Sequence, residues 1–494
     1  MIKEQQPSYR QIMKATSIFG GVQVFNIIIQ IIRSKFVAVF LGPTGMGILG
    51  LLTATIGIIG GLTNFGLGTS AVKDIAAANS SANYERIATI VTVFKRLVII
   101  TGIFGTILVL VLSPWLSRLT FGNSNYTIAF CWISVTLLLS QLSSGQMVIL
   151  QGMRKLQYLA KANLFGSLAG LLVSLPLYYK YGNDGIIPVM IGSAVISLLV
   201  SWFYSRQVPM KFFKVSGRQT IAEGKGMLKM GFMISLSSLL SLGVSYIVGL
   251  FISRIGGVDQ VGLYNAGFSI INNYVGIIFA AMGTDYYPRL SAVAHHNNLC
   301  KQTINQQAEI AILILGPILV FFLSFVNWVI ILLYSQKFIA VTEMIYCAVI
   351  GVFFKAVSWS VAFIFLAKGD GKLFFWNELI ANIYLLTLNL LGYYYMGLTG
   401  LGISFAVAYL VYMCQVYFVS KIKYGFSFQI NFIVIFVIQF SITILGFLIV
   451  TYLIQPYAYL VGTLLVGFSG FYSLVDLDRR IDLKKLAFTR FGGK

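Results

Sequence analysis

Lys355 stands near the middle of the apolar run 341–366, and no acid lies within a turn or two of it; Glu343 is twelve residues away. A lysine at the centre of a membrane helix costs roughly 2.5–3.5 kcal/mol on insertion scales, so such a residue calls for a function or a partner. Arg33 poses the same question in the run 16–40. At 100° per residue, Gln23, Asn26, Gln30 and Arg33 fall within about 80° of one another, a polar stripe that ends in a cation. Lys35 points away from that stripe. Arg254, like Lys35, lies nearer a helix end, where snorkelling and a cavity-facing position both remain open. The apolar runs hold Arg33, Lys35 and Lys355 but no acid at mid-span. A cavity lined this way repels cations and favours anions, above all phosphate, which accepts charge-assisted hydrogen bonds. A cation antiporter would need a deep Asp or Glu. Glu378, at the start of a later run, is the first candidate for coupling to a proton or sodium ion.

Further polar faces accompany these cations: Asn265, Ser269 and Asn272; Glu378, Asn382 and Asn389; Ser238, Ser241 and Ser245; and Ser134, Gln141 and Ser144. Such groups also cross-link membrane helices at about 1 kcal/mol apiece. The two serine faces read best as cross-links. For Arg33 and Lys355 the competing reading is an ion pair with Glu343 or Glu378.

The elements that must hold these residues follow from composition. Of 494 residues, 58% are hydrophobic and only 10% charged. A soluble protein carries roughly 25% charged residues, so lipid is the main solvent. About 20 apolar residues cross a bilayer, and apolar runs bounded by Gly, Pro, Asn or charge predict fourteen helices between residues 16 and 476. The net charge of +21 is scattered among short loops, which argues against nucleic acid as a partner. Cys131, Cys300, Cys347 and Cys414 share no short spacing, and His295 and His296 are adjacent in a polar loop; neither set makes a metal motif or a disulfide framework. No cofactor is expected.

Lys and Arg divide unevenly between alternate loops: 28 on one side, 4 on the other, and 3 within the runs. By the positive-inside rule both termini are cytoplasmic. The outer loops are short, leaving no room for an external catalytic domain. The chain also matches itself at a shift of 215. Gly42 to Gly47 falls on Gly257 to Gly262, Gly68 on Gly283, Tyr178 and Tyr179 on Tyr393 and Tyr394, and Gly182 and Gly185 on Gly397 and Gly400. Lys155-Leu156 matches Lys372-Leu373 at a shift of 217, which requires a two-residue insertion. Six spans per copy make a parallel repeat, with a site expected between the copies near the midplane. The predicted architecture is an all-α multi-pass membrane protein with about 14 transmembrane helices. Residues 1–210 and 211–425 form six-helix lobes, and 426–494 an extra helix pair with a cytoplasmic basic tail.

Arg33-Ser34-Lys35, the segment Leu41-Gly42-Pro43-Thr44-Gly45-Met46-Gly47, the loop Gly152-Met153-Arg154-Lys155, and the segments Gly262-Leu263-Tyr264 and Tyr287-Pro288-Arg289-Leu290-Ser291 resemble the polysaccharide transporter branch of the multidrug/oligosaccharidyl-lipid/polysaccharide (MOP) flippase superfamily. The resemblance spans nearly the whole chain. It implies a transporter, not an enzyme, that moves undecaprenyl-pyrophosphate-linked oligosaccharide such as O-antigen across the bacterial inner membrane by alternating access through a cationic central cavity. On that reading Arg33 and Lys355 bind the pyrophosphate, assisted by Lys35 and Arg254. Gln23, Asn26, Gln30, Asn272 and Asn382 hydrogen-bond sugar hydroxyls, while the lipid tail stays in the bilayer. Implied partners are the lipid-linked oligosaccharide, membrane lipids and other glycan-assembly membrane proteins, around a monomeric transporter. The rival readings are a cation-coupled drug or metabolite exporter of the same fold, a multispan glycan polymerase or ligase, and a non-transporting assembly scaffold.

Overall fold

The computed structural model describes residues 6–80, 83–208 and 215–481. Side chains before residue 25 and at scattered positions from 219 to 285 lie outside the described residues, as does most of the basic tail. Among the described residues every regular element is helical. In order they are α1 (Gln6–Thr63), α2 (Leu67–Ser80), α3 (Tyr84–Phe121), α4 (Thr127–Gly152), α5 (Leu156–Tyr181), α6 (Ile186–Arg206), α7 (Gly217–Gly256), α8 (Val258–Ser269), α9 (Gly276–Ala292), α10 (Asn297–Leu333), α11 (Thr342–Ala367), α12 (Gly371–Tyr424), α13 (Ile430–Tyr452) and α14 (Gln455–Ile481). A single π-helical stretch, Ile270–Tyr274, joins α8 to α9.

Among the described residues ten helical stretches are long and apolar enough to cross a bilayer. Three of them are bent pairs. α1 turns at Gly42 (φ 67°), α12 turns at Gly397 (φ 58°), and α5 passes to α6 through a short 3-10 turn that begins at Gly182 (φ 53°). Each bend uses a backbone region open to glycine at little cost. Counting both arms of each bend and adding the interrupted α8–α9 helix gives the fourteen expected spans. α2 lies in a segment that apolar-run reading left as a loop, because its sequence mixes Lys73 and Asp74 with small residues.

The internal repeat holds at the level of the backbone. Gly42, Arg154 and Gly182 have positive φ, and so do Gly257, Gly369 and Gly397, each 215 positions later. Adding 215 to the bounds of α4 gives those of α11. The residues that precede α5 and α12, Lys155 (φ −85°, ψ 58°) and Asp370 (φ −80°, ψ 59°), are 215 apart and nearly identical in conformation. The counterpart of Lys155 is therefore Asp370, not Lys372. The two-residue insertion drawn from the sequence is not needed, since the Lys-Leu match is a coincidence of composition.

Packing divides the chain into two compact units, 1–262 and 263–494. In the first, α4 packs on α3 and α6, α5 on α1 and α6, and α7 on α1, α2 and α3. The Tyr246 hydroxyl of α7 meets Thr55 of α1 at 3.3 Å and Thr120 of α3 at 3.1 Å, a polar cross-link among apolar faces. The repeated glycine segments meet here reciprocally. A Cβ on Gly47 would lie 2.0 Å from the Val258 carbonyl oxygen, and one on Gly262 would lie 1.9 Å from that of Pro43. Val258 is the repeat counterpart of Pro43, and Gly262 of Gly47, so the contact is self-complementary in the manner of a two-fold interface. In the second unit α11 packs on α12 and α10, and α10 also carries α13 and α14. Gln439 of α13 fastens that appended pair, donating to Ser473 Oγ at 2.8 Å and accepting from Ser469 Oγ at 2.6 Å. Such a clasp is favoured where no water competes.

Candidate functional site: a polar hollow and its filled counterpart

A cavity of about 710 Å³ opens in the first unit between α1, which contributes Arg33 from its first arm and Leu49 to Gly61 from its second, and α2, α3, α4 and α6. Small residues make the room: Gly57, Gly60, Gly61, Gly68 and Gly145 replace side chains with space. Its polar lining is hydroxyl and amide, from Thr53, Asn64, Thr101, Thr136, Ser140, Gln141, Ser143, Ser144, Ser193 and Ser197. Among the described residues Arg33 is its one charged lining residue. A half-buried guanidinium facing hydroxyls and amides, with no carboxylate on the wall among the described residues, suits an anionic group attached to a polyhydroxylated one.

Arg33 lies beside the Tyr178 hydroxyl of α5, a buried group that makes no well-formed hydrogen bond of its own. Gln141 both lines the hollow and bridges helices, accepting from Thr101 Oγ1 at 3.0 Å and donating to Thr63 Oγ1 at 3.4 Å. Ser144 lines the hollow, while Ser134 is fully buried and donates to the Cys131 carbonyl. The serine face of α4 is thus divided between cavity and packing. Sequence reading missed Thr53, Asn64, Ser140 and Ser193, because isolated hydroxyls and amides in membrane helices serve packing equally well.

The remaining predicted residues are dispersed. Gln30 is exposed, the buried side-chain oxygen of Asn26 has no hydrogen-bond partner among the described residues, and the Gln23 side chain lies outside them. Lys35 is half-buried and engaged in an interaction of its own. Arg254 is exposed at the end of α7; its guanidinium donates to the Arg118 and Leu119 carbonyls at the C-terminus of α3. That caps a helix end and complements its dipole. Of these, Asn26, Gln30, Lys35 and Arg254 do not join Arg33 in the cavity lining.

In the second unit, Lys355 Nζ of α11 donates to Asn272 Oδ1 of the π-helical turn at 3.2 Å. It also lies 5.4 Å from the ring centre of Tyr409, 5.7 Å from Phe405 and 5.9 Å from Phe279. No carboxylate among the described residues pairs with it. Glu378 accepts from Tyr412 Oη at 2.5 Å, and Glu343 from Thr399 Oγ1 at 2.8 Å. Asn382 donates to the Glu378 carbonyl at 2.8 Å. Lys355, Asn272, Phe279, Phe405 and Tyr409 stand 215 positions after Ser140, Gly57, Asn64, Met190 and Ala194, all of which line the first unit's hollow. Trp359 and Tyr412 likewise follow the lining residues Ser144 and Ser197. At positions that line the hollow in one copy, the other carries larger side chains gathered about an amine.

Residues 36–343 match the model of a family described as "Polysaccharide biosynthesis protein", and the chain belongs to that family. It is 27% identical over 383 residues to a Shigella flexneri protein named "Putative O-antigen transporter", covering 75% of this chain and 88% of the relative. It is 21% identical over 392 residues to the "Lipid III flippase" of Escherichia coli (strain K12), covering 76% and 90%. Among solved structures it is similar to the lipid II flippase MurJ in an inward closed conformation, with a TM-score of 0.71 at 14% identity over 93% of this chain and 98% of that one. It is also similar to an inward-facing multidrug resistance MATE family transporter, with a TM-score of 0.66 at 17% identity over 81% and 94%. The fold is that of the MOP superfamily, and the chain is a multi-span membrane transporter, not an enzyme.

Proposed function

We propose that this transporter moves a polyprenyl-diphosphate-linked oligosaccharide, of the O-antigen kind, from the cytoplasmic to the outer leaflet of a bacterial inner membrane. The observation that carries the reading is the hollow of the first unit, whose single charge among the described residues is Arg33 and whose other polar groups are hydroxyls and amides. A diphosphate anion gains from the guanidinium through charge-assisted hydrogen bonds, and sugar hydroxyls exchange water for the Ser, Thr, Asn and Gln wall. A cationic drug would meet a charge of its own sign there. Lys355 supplies a second positive group in the second unit, half-buried and without a counter-ion among the described residues. Names borne by relatives, an O-antigen transporter and a lipid III flippase, point the same way.

The distribution of Lys and Arg supports cytoplasmic termini, so the substrate's anion would travel outward. Moving one charge through 100 mV is worth about 2.3 kcal/mol, and an anion leaving a negative-inside cell runs down that field. Glu378, between Tyr412 and Asn382, is the group through which a proton or sodium ion would couple.

The test is reconstitution into liposomes carrying a fluorescent polyprenyl-diphosphate oligosaccharide, with translocation followed by quenching with an impermeant reductant. The protein should accelerate translocation, and Arg33→Ala should abolish the acceleration while leaving expression and thermal stability intact. Translocation no faster than in protein-free liposomes, or unchanged in both Arg33→Ala and Lys355→Ala, would overturn the reading.

A further inference from the structure

Three aromatic faces and one amide oxygen surround the Lys355 amine, and aromatic boxes of that composition are how proteins bind free ammonium ions. The box draws on separate parts of the second unit. Asn272 comes from the π-helical turn, Phe279 from α9, and Phe405 and Tyr409 from the second arm of α12. Phe405 and Phe279 are buried and make a fixed floor, whereas the Lys355–Asn272 contact is open to the outside. A π turn shifts the register of a helix by a residue and recurs where a side chain must be aimed; here it aims Asn272 at the amine. In the first unit the equivalent positions enclose empty space. At those positions the second unit holds the makings of a cation site, and the chain carries the cation on its own α11.

We propose that the box of Asn272, Phe279, Phe405 and Tyr409 is an ammonium-binding site held by a tethered occupant, so that Lys355 determines specificity by excluding free organic cations from the second unit. A free cation cannot displace the amine, because the tether holds it beside the rings and any newcomer meets its charge. Removing the amine leaves rings and amide oxygen in place and creates a site for small alkylammonium ions. This concerns what the transporter refuses, and goes beyond what it is proposed to carry.

The experiment titrates tetramethylammonium and n-butylammonium chloride into the purified full-length protein in detergent, with sodium chloride as the ionic-strength control. Wild type and Lys355→Arg should show no saturable binding. Lys355→Ser, which restores the residue of the equivalent position in the first unit, should bind ~10-fold or more above the wild-type background, as expected for several ring contacts to one cation. Adding Tyr409→Ala to Lys355→Ser should remove most of that gain. Lys355→Ala serves as a second route to the empty box, and unfolding temperature and monodisperse elution establish that each variant is folded. A folded Lys355→Ser or Lys355→Ala that binds no better than wild type overturns the proposal, as does a gain that survives loss of the Tyr409 ring. The readout needs no glycolipid, so its outcome is separable from that of the transport assay.

Discussion

Replacing Lys355 by Met keeps most of the side chain's volume and removes its charge, and the structure sets how much stability should change. An unpartnered lysine at mid-span costs roughly 2.5–3.5 kcal/mol. Against that stand one hydrogen bond from a charged donor, worth about 1.5–3 kcal/mol, and three ring contacts at about 0.5–1 kcal/mol each. The two sides agree to within a few kcal/mol, leaving the amine close to neutral for folding. Lys355→Met should therefore alter stability by less than about 2 kcal/mol, a shift of only a few degrees in Tm for a chain of this size. Transport should respond far more strongly. A lost charge-assisted contact to a phosphate is worth about 1.5–3 kcal/mol, or about 10- to 150-fold in rate. The assay pairs a thermal melt in detergent with translocation in proteoliposomes. A collapse in Tm would make Lys355 a structural post held by its rings. A wild-type rate in a stable variant would remove it from the transport site.

Two further outcomes follow from the backbone and from one exposed carboxylate. Gly42→Ala and Gly257→Ala place a Cβ in open space but at φ of 67° and 88°, so each should cost about 1–2 kcal/mol, and the two costs should match. Gly262→Ala, whose Cβ would strike the Pro43 carbonyl oxygen, should cost more than either, read as the order of Tm values. At the turn before α12, the Tyr424 hydroxyl and, at 3.1 Å, Lys423 hold the Asp370 carboxyl below its usual range. A depressed carboxylate stabilises the fold above its ordinary value near 3.9 and loses that contribution as pH falls through the lowered one. Asp370→Asn should lower Tm slightly at neutral pH, by less than about 1 kcal/mol for so exposed a pair, and not at all once the wild-type carboxyl is protonated. An equal loss at both pH values would assign the effect to geometry instead of charge.

The spans and the duplication were legible because lipid demands long apolar runs and because a bend without water needs glycine. Gly42, Gly182, Gly257 and Gly397 could be matched by eye and proved to be the points where the backbone turns. What hydropathy reports less well is how tightly spans are joined: the arms of α1 and of α12 meet at a single non-helical glycine, Gly42 and Gly397, where the sequence suggested a longer loop. α2 escaped notice since an amphipathic helix beside a polar segment has no apolar run to find. For the site, charge in an apolar setting drew attention to Arg33 and Lys355; the first lies on a cavity wall and the second among aromatic rings. Charge could not separate them from Arg254, whose role as a cap on α3 depends on a tertiary contact 136 residues distant. Nor could it find the rings around Lys355, which come from helices far apart in the chain.

The hollow in one copy and its packed twin in the other carry a consequence for how such a transporter can change its cargo. Positions such as Ser140 and Ser193 face empty volume, so exchanging one hydroxyl or amide for another there sacrifices little packing. Their counterparts are Lys355, bound up with Asn272 and three rings, and the buried Ala408, where alteration disturbs packing and contacts already made. Variation suited to different glycans can accumulate in the N-terminal half alone while the other preserves the scaffold. Exchanging a handful of wall residues between relatives should then retune sugar preference without rebuilding the protein.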